Sequence, residues 1–383
     1  MRQAQLAMLA LMLCACATRP VPPPPDVAQT FLSVPLVRSA NIFATPTITP
    51  RAVPRIDLAI PEHPSIRGAV AYFTTELRSD IQQSLLRSGQ YRKLIDRALD
   101  EYKLPKALAY LPVIESAYLP TLTSRAGAHG IWQFMPDTAR EYGLRVDWWV
   151  DERADPDRST RAAAAYLSDL YREFHDWPLA LAAYNAGPRR IHRALEETGT
   201  ATFWDLLERS AIPRETRGYV PTFFAAITIA SDPASYGFQL RDPGDPDVKR
   251  VEVEGPLSLR FIAVMTGIDE AILRDLNPAL RHGIVPPGKA TIRVPSSTAD
   301  VALKNNDPNV AVCAYNIRDG DTVKKLAKKL RVKSETILAM NGLRAKTRLH
   351  RGQSIYLPVR ARELSVLLSG VRSGHRPMAT GGM

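Results

Sequence analysis

Among the residues able to do chemistry, one carboxylate is set apart by its position. In the stretch LPVIESAYLP, Glu115 closes a run in which Ala107, Leu108, Leu111 and Ile114 step at helical spacing. A carboxyl beside such a stripe loses hydration, and burial disfavours its charged form. Its pKa therefore rises, so that it can hold a proton near neutral pH and hand it to a leaving oxygen. A glutamate in that position can also cap a neighbouring turn or pair with a cation such as Arg125. Ordinary glycosidases use two carboxyls, about 5 Å apart when retaining and about 6.5 to 9.5 Å when inverting. The acids that follow, Asp137 and Glu141, lie where a helix starts, with Asp137 serving as an N-cap or first-turn acid. A chain with one such carboxyl could cut a glycosidic bond only if the substrate supplied the missing group. Seven scattered histidines show no ligand spacing with cysteines or carboxylates, so neither a metal site nor a cofactor is expected.

The elements that must position Glu115 are helices. Ile66, Val70, Phe73, Leu77, Ile81 and Leu85 form one apolar face, and Tyr91, Leu94, Ile95, Ala98, Leu99 and Tyr102 form a second. Leu104-Pro105 marks a stop and a fresh start, and the third helix is predicted from Lys106 to about Tyr118, where Pro120 forbids continuation. Alanine- and leucine-rich stretches over 160–175, 178–185, 189–197 and 216–231 also read as helices, so that residues 60–240 form one mainly α-helical domain.

Four short blocks occur in order along this domain: Glu115-Ser116, Gly130-Ile131-Trp132-Gln133, Ala183-Tyr184-Asn185-Ala186-Gly187, and Glu215-Thr216-Arg217-Gly218-Tyr219-Val220-Pro221. Together they resemble the lytic transglycosylases of the goose-type lysozyme fold (the SLT type), and among them the membrane-bound murein transglycosylase D group. Asp151-Glu152-Arg153-Ala154-Asp155-Pro156 is similar to the segment that group carries between the second and third blocks. The resemblance implies a peptidoglycan lytic transglycosylase. Glu115 would be its single catalytic acid and base, and Ser116 an orienting hydroxyl beside it. Ser124 and Gln133 would hydrogen-bond the glycan, Met135 would form an apolar wall, Tyr184 and Asn185 would line the sugar site, and Tyr219 would hydrogen-bond the glutamate. Read as bare residue types, Ser124 and Asn185 also suit turns and caps, and Met135, Tyr184 and Tyr219 also suit a core. The implied product is a 1,6-anhydro-muramyl sugar. A lysozyme-like hydrolase using the same glutamate, or an inactive wall-binding lipoprotein, are the alternatives. The chain departs from the family pattern at Arg189, where a glycine is common, and at His129, where a smaller or amide residue is common.

The C-terminal third contains an internal repeat. Residues 259–277, LRFIAVMTGIDEAILRDLN, align with residues 323–341, VKKLAKKLRVKSETILAMN, and each copy then ends in a strand-like run before a proline, the register slipping by one. Two helices between short strands is the implied α+β unit, once over 245–300 and again over 313–360. The second copy, with YNIRDGDTVKKLAKKL and LHRGQSIYLP, resembles a LysM module. That likeness points to N-acetylglucosamine binding at Gly320, Asp321, Thr322 and the turn around Asn341. The first copy lacks the Gly-Asp-Thr signature and is read as a degenerate module. Residues 361–383 read as a tail of low order.

The N-terminus supplies the compartment. Residues 1–15 combine Arg2 with the apolar run Leu6–Leu13, too short to span a membrane, and lead through Leu13-Cys14-Ala15 into Cys16. This resembles the lipobox of bacterial lipoproteins, which implies lipidation at Cys16 and, since Ala17 is not aspartate, the periplasmic face of the outer membrane. An ordinary signal peptide cut nearby is the alternative. Residues 16–59 are proline-rich and read as a tether. Beyond the signal only Cys16 and Cys313 remain, so no disulfide framework is expected. The net charge of +11 favours a polyanionic partner. The signal, and the lack of base-stacking or groove-reading motifs, argue for wall polymer and membrane and against nucleic acid.

Overall fold

The computed structural model of the chain describes residues 57–240, 247–298 and 312–358, so the signal segment, Cys16, most of the proline-rich stretch and the C-terminal tail lie outside it. The described residues divide into a helical unit over 57–146 and 152–240 and a second unit that joins 147–151 to the residues from 247 onward.

In the helical unit the first apolar face is broken. Helix α1 (Pro64–Thr74) stops and α2 (Arg78–Glu101) begins after three intervening residues, so the second predicted helix is the continuation of α2. Thr74 and Thr75 turn their hydroxyls back on the carbonyls of Val70 and Ala71, which competes with the helical ladder at the break. The predicted third helix is also shorter than its pattern. A 3-10 turn over Lys106–Tyr110 leads into α3 (Leu111–Glu115). Pro112 has no N–H to donate to the preceding turn, and Ala117 and Tyr118 adopt left-handed φ values of 50° and 60°, which end the helix just past Glu115.

There follow α4 (Pro136–Glu141), α5 (Pro156–Phe174), α6 (Trp177–Ala186), α7 (Pro188–Thr198), α8 (Phe203–Glu208) and α9 (Arg214–Ser231). Asp155, Asp176 and Thr202 cap α5, α6 and α8 by accepting backbone N–H groups of the first turn. Asp137 is a first-turn acid of α4, not its cap. Helix α9 is buried along most of its length and packs against α1, α3 and α6. Its Val220, Phe223, Phe224 and Ile227 are almost wholly excluded from solvent. Such side chains contribute about 1.5–3 kcal/mol each, so α9 is held firmly enough to present its other residues at fixed positions.

The second unit contains the repeat. Strand β1 (Val248–Ser258), α10 (Leu259–Thr266), α11 (Glu270–Leu276) and β2 (Ile284–Pro295) form one copy, and β3 (Val312–Asn316), α12 (Val323–Leu330), α13 (Ser334–Met340) and β4 (Ser354–Pro358) form the other. In each copy the two strands pair antiparallel. One asparagine holds each copy together in the same way. The Asn277 amide donates to the carbonyls of Leu273 and Arg293, both at 2.8 Å, and its oxygen accepts from Arg293 N–H at 2.7 Å. The Asn341 amide donates to Ile337 and Tyr356 at 2.8 and 2.7 Å and accepts from Tyr356 N–H at 2.6 Å. Each bracket ties the end of the second helix to the last strand.

The segment 147–151 belongs to this unit although the sequence pattern assigns it to the helical domain. Trp149 is buried against Met340 and Tyr356, and its indole N–H donates to the Met340 carbonyl at 3.0 Å. Arg281 N–H donates to the Trp149 carbonyl at 3.1 Å, and the Trp148 ring lies 4.2 Å from that of His282. An aromatic pair followed by a valine gave no periodic signal from which this packing could be read.

Replacing Asn277 or Asn341 by alanine strands a buried carbonyl and N–H at each bracket. Each variant is expected to lose about 1–3 kcal/mol of stability in its own module, measured by denaturant unfolding of the full chain.

Candidate active site

Glu115 closes α3 against the central helix α9. The Tyr219 hydroxyl of α9 donates to Glu115 Oε1. Among the described residues the carboxyl makes no ion pair, with Arg125 or any other cation. The side chain keeps part of its surface open while the carboxyl itself is desolvated. Burial pushes its pKa up to about 8; the hydrogen bond from Tyr219 opposes that rise, and the negative charge of Glu215 adds to it. The group is therefore a neutral acid at pH 7.

The loop after α3 is fixed to its surroundings by backbone carbonyls. Ser116 is buried, and its hydroxyl donates to the Ile131 carbonyl at 2.8 Å. The hydroxyl expected to orient Glu115 thus ties the helix end to the loop with its one proton and keeps its oxygen as an acceptor. Gly130 has φ of 86°, and a Cβ there would stand 1.9 Å from the Arg153 carbonyl oxygen, so only glycine fits. Arg153, buried, donates to the carbonyls of Gly127 and Phe134 at 2.8 and 2.9 Å. Trp132 is anchored by its indole N–H to Thr160 Oγ1 at 2.9 Å.

The other expected residues fall around this frame. Ser124 accepts from Ala128 N–H at 3.0 Å and closes the loop tip. Gln133 has a left-handed φ of 48° and donates its amide to Gly130 and Leu122 carbonyls at 2.7 and 3.2 Å. Met135 is 45% exposed, unusual for its type, and free to meet an apolar ligand face. The Tyr184 hydroxyl donates to the Trp132 carbonyl at 2.8 Å; burial, with the charge of Glu115 adding, pushes its pKa well up, so it stays a neutral donor. Asn185 accepts from Thr216 Oγ1 at 2.9 Å, which joins the third block to the fourth. Of the two departures from the family pattern, His129 is a loop partner of Thr123 at 2.8 Å and Arg189 is exposed in the first turn of α7.

One residue escaped the sequence reading. Glu215 lies exposed on α9, and its charge reaches the Glu115 carboxyl. The signal was present in the fourth block, since Glu215 and Tyr219 are four residues apart and share a helix face. In the second unit, Thr322 caps α12, Asp321 accepts from Tyr315 OH and Arg318 N–H, both at 2.8 Å, and Gly320 turns the chain with φ of 79°. The Asn341 side chain is spent on its bracket, so a sugar at that turn would meet backbone groups.

Comparison with known proteins gives three family matches. Residues 93–207 match the Transglycosylase SLT domain, 247–310 the LysM-like domain of lytic transglycosylase MltD, and 315–358 the LysM domain. The chain is 31% identical over 324 residues to membrane-bound lytic murein transglycosylase D of Escherichia coli K12, covering 78% of this chain and 70% of that protein. It is 29% identical over 141 residues to the soluble lytic murein transglycosylase of the same strain, covering 35% of this chain and 22% of that protein. A solved structure of an inactive mutant of the lytic transglycosylase Slt from Pseudomonas aeruginosa matches 40% of this chain and 25% of its own, at 28% identity and a TM-score of 0.33, too low to bear on the fold.

The two neighbours of Glu115 should move its titration in opposite directions. Tyr219→Phe removes a bond that favours the carboxylate, so the alkaline limb of the pH–rate profile shifts above its position near pH 8. Glu215→Gln removes a negative charge, so the limb shifts below it. The same linkage marks stability. The contribution from the neutral carboxyl is complete below its ordinary value of 4.5 and is gone once pH has risen through about 8, so Glu115→Gln should gain on the native chain in thermal unfolding as pH rises between those values and gain no further above them.

Proposed function

The chain belongs to the membrane-bound lytic murein transglycosylase D family, and from that premise we propose how Glu115 performs the reaction. It is a peptidoglycan lytic transglycosylase. The bond cut is the β-1,4 link between N-acetylmuramic acid and N-acetylglucosamine. Neutral Glu115 gives its proton to the leaving N-acetylglucosamine oxygen as the C1–O bond breaks, the electron pair departing with that oxygen. The 2-acetamido oxygen of the muramyl residue closes on C1 and holds the positive charge, the part a second carboxylate takes in two-carboxylate enzymes. Glu115, now a carboxylate, takes the proton of the 6-hydroxyl, and O6 displaces the acetamido oxygen from C1. A 1,6-anhydro ring forms, the glutamate regains its proton, and no water is consumed.

The observation that carries this reading is the desolvated, unpaired carboxyl facing a tyrosine hydroxyl. It is neutral at the start, and it has a donor ready when it becomes charged. Around it, Gln133, Met135, Tyr184 and Asn185 border the sugar, with Ser116 and Ser124 holding the loop that shapes the site. The LysM module grips N-acetylglucosamine through the Gly320–Thr322 turn and the backbone beyond Asn341.

A hydrolytic second reading draws on Glu215, a second carboxylate near enough to act on Glu115 through its charge. Digestion of purified sacculi separates the two readings. Anhydro-muropeptides lighter by one water and without reducing ends are expected, whereas reducing ends would establish hydrolysis. Glu115→Gln should lower the rate about 10²–10⁴-fold; unchanged digestion would remove Glu115 from catalysis.

The enzyme is membrane-associated in the manner of its family, and among the described residues no helix is long and apolar enough to cross a membrane. We assign the attachment to acylated Cys16 at the periplasmic face of the outer membrane. Labelling with a palmitate analogue should mark the chain in outer-membrane fractions and fail with Cys16→Ala.

A further inference from the structure

The two copies of the repeat differ on one helix face. Helix α12 carries Lys324, Lys325, Lys328 and Lys329, all exposed, while its apolar residues Leu326, Ala327 and Leu330 are buried in the module core. At the matching positions α10 carries Arg260, Phe261, Val264 and Met265. Between Tyr315 and Pro358 there are eleven lysines and arginines against three acids, a net of +8, while between Val248 and Pro295 there are seven against five, a net of +2. Most of the +11 on the whole chain therefore sits in one small module.

That charge is not neutralised locally. Of the module's acids, Asp319 pairs with Arg351 at 2.9 Å, and Asp321 accepts bonds from Tyr315 and from backbone. Lys325 donates to the Gly320 carbonyl at 2.8 Å, and no acid pairs with Lys324, Lys328 or Lys329 among the described residues. Lys324–Lys328 and Lys325–Lys329 are like-charge pairs at i,i+4, each destabilising an isolated helix by about 0.2–0.5 kcal/mol. The first copy keeps the same fold without them, so folding does not demand four lysines.

We propose that the α12 face binds the free carboxylates of the peptide stems of peptidoglycan, beside the sugar-binding turn of the LysM module. This rests on the peptidoglycan reading above. The lysines begin two residues after Thr322, at the end of the Gly320–Thr322 turn, and a stem hangs from the muramyl residue adjoining each N-acetylglucosamine. A sugar at the turn therefore brings a carboxylate-bearing chain alongside the helix. A lipid surface fits less well. Basic helices that lie on membranes also present large apolar side chains on their other face, and no large hydrophobic residue of this module is exposed among the described residues.

Binding of the full chain, in a Glu115→Gln background that spares the polymer, is compared on three supports: native sacculi, sacculi with amidated carboxyls, and uncharged chitin. The expected result is about tenfold weaker binding to native sacculi when the four lysines are changed to glutamine or when salt is raised. Amidated sacculi and chitin should bind the lysine and glutamine forms alike. Equal binding of the unaltered lysines to native and amidated sacculi overturns the proposal while leaving the LysM reading intact. On added vesicles of anionic phospholipid, weaker binding of the four-glutamine form with its sacculus binding unchanged also overturns the proposal, in favour of a membrane. Failure to bind chitin, with carboxyl-dependent binding to sacculi preserved, supports the charged face and overturns the sugar reading instead.

Discussion

The structure turns on keeping one carboxyl dry. Everything around Glu115 serves that condition and the single hydrogen bond from Tyr219 that tempers it. Helix α3 is only five residues long, with Pro112 in its first turn, so Glu115 falls at its end and not along its side. The loop beyond is pinned by Ser116 and Arg153 on backbone carbonyls, by Trp132 on the Thr160 hydroxyl, and by the close fit of Gly130 against Arg153. Buried polar groups that are satisfied in this way hold a geometry, because moving any one strands another. Helix α9 then brings Tyr219 to the carboxyl, anchored by its own buried phenylalanines.

How far the sequence revealed this depends on the kind of signal. Periodic apolar residues gave the helical domain and the position of Glu115, because burial follows spacing. Helix ends were less legible. The break at Thr75–Leu77 comes from hydroxyls competing for carbonyls, and the early end of α3 from left-handed residues that have side chains; neither leaves a pattern in hydropathy. Ser116 and Asn341 sit where their types suit a ligand, yet their donor protons are consumed within the fold. A polar residue beside a motif states a capacity to bond and leaves the partner open. Glu215 shows the converse: its spacing from Tyr219 was visible, but its reach to Glu115 depends on how α3 and α9 cross.

The duplicated modules separate what the fold needs from what a surface is selected to do. Both keep an asparagine bracket, both cap the first helix with a hydroxyl residue, Ser258 in one and Thr322 in the other, and both bury matching core positions, Ile262 and Leu273 in one and Leu326 and Ile337 in the other. These shared requirements leave the exposed helix faces free to diverge. Helices α10 and α12 diverge, from Arg260, Phe261, Val264 and Met265 to four lysines, while these core positions are kept, so each face reflects its surroundings and not its module.

A pKa near 8 suits a group asked to be acid first and base second. Were Glu115 fully solvated it would be ionised at pH 7 and unable to protonate a leaving oxygen. Were it buried with no donor, its carboxylate would be too costly to form when the glycosidic bond breaks. In the proposed chemistry the cost falls due as positive charge appears on the muramyl ring a few ångströms away. Attraction between the two charges in a poorly hydrated site then returns part of what desolvation took. The tyrosine supplies a further part through its hydrogen bond. The carboxylate is thus stabilised only while the sugar is cationic, and it becomes strongly basic as O6 closes the ring. The same burial that holds the first proton on the glutamate drives the recapture of the second.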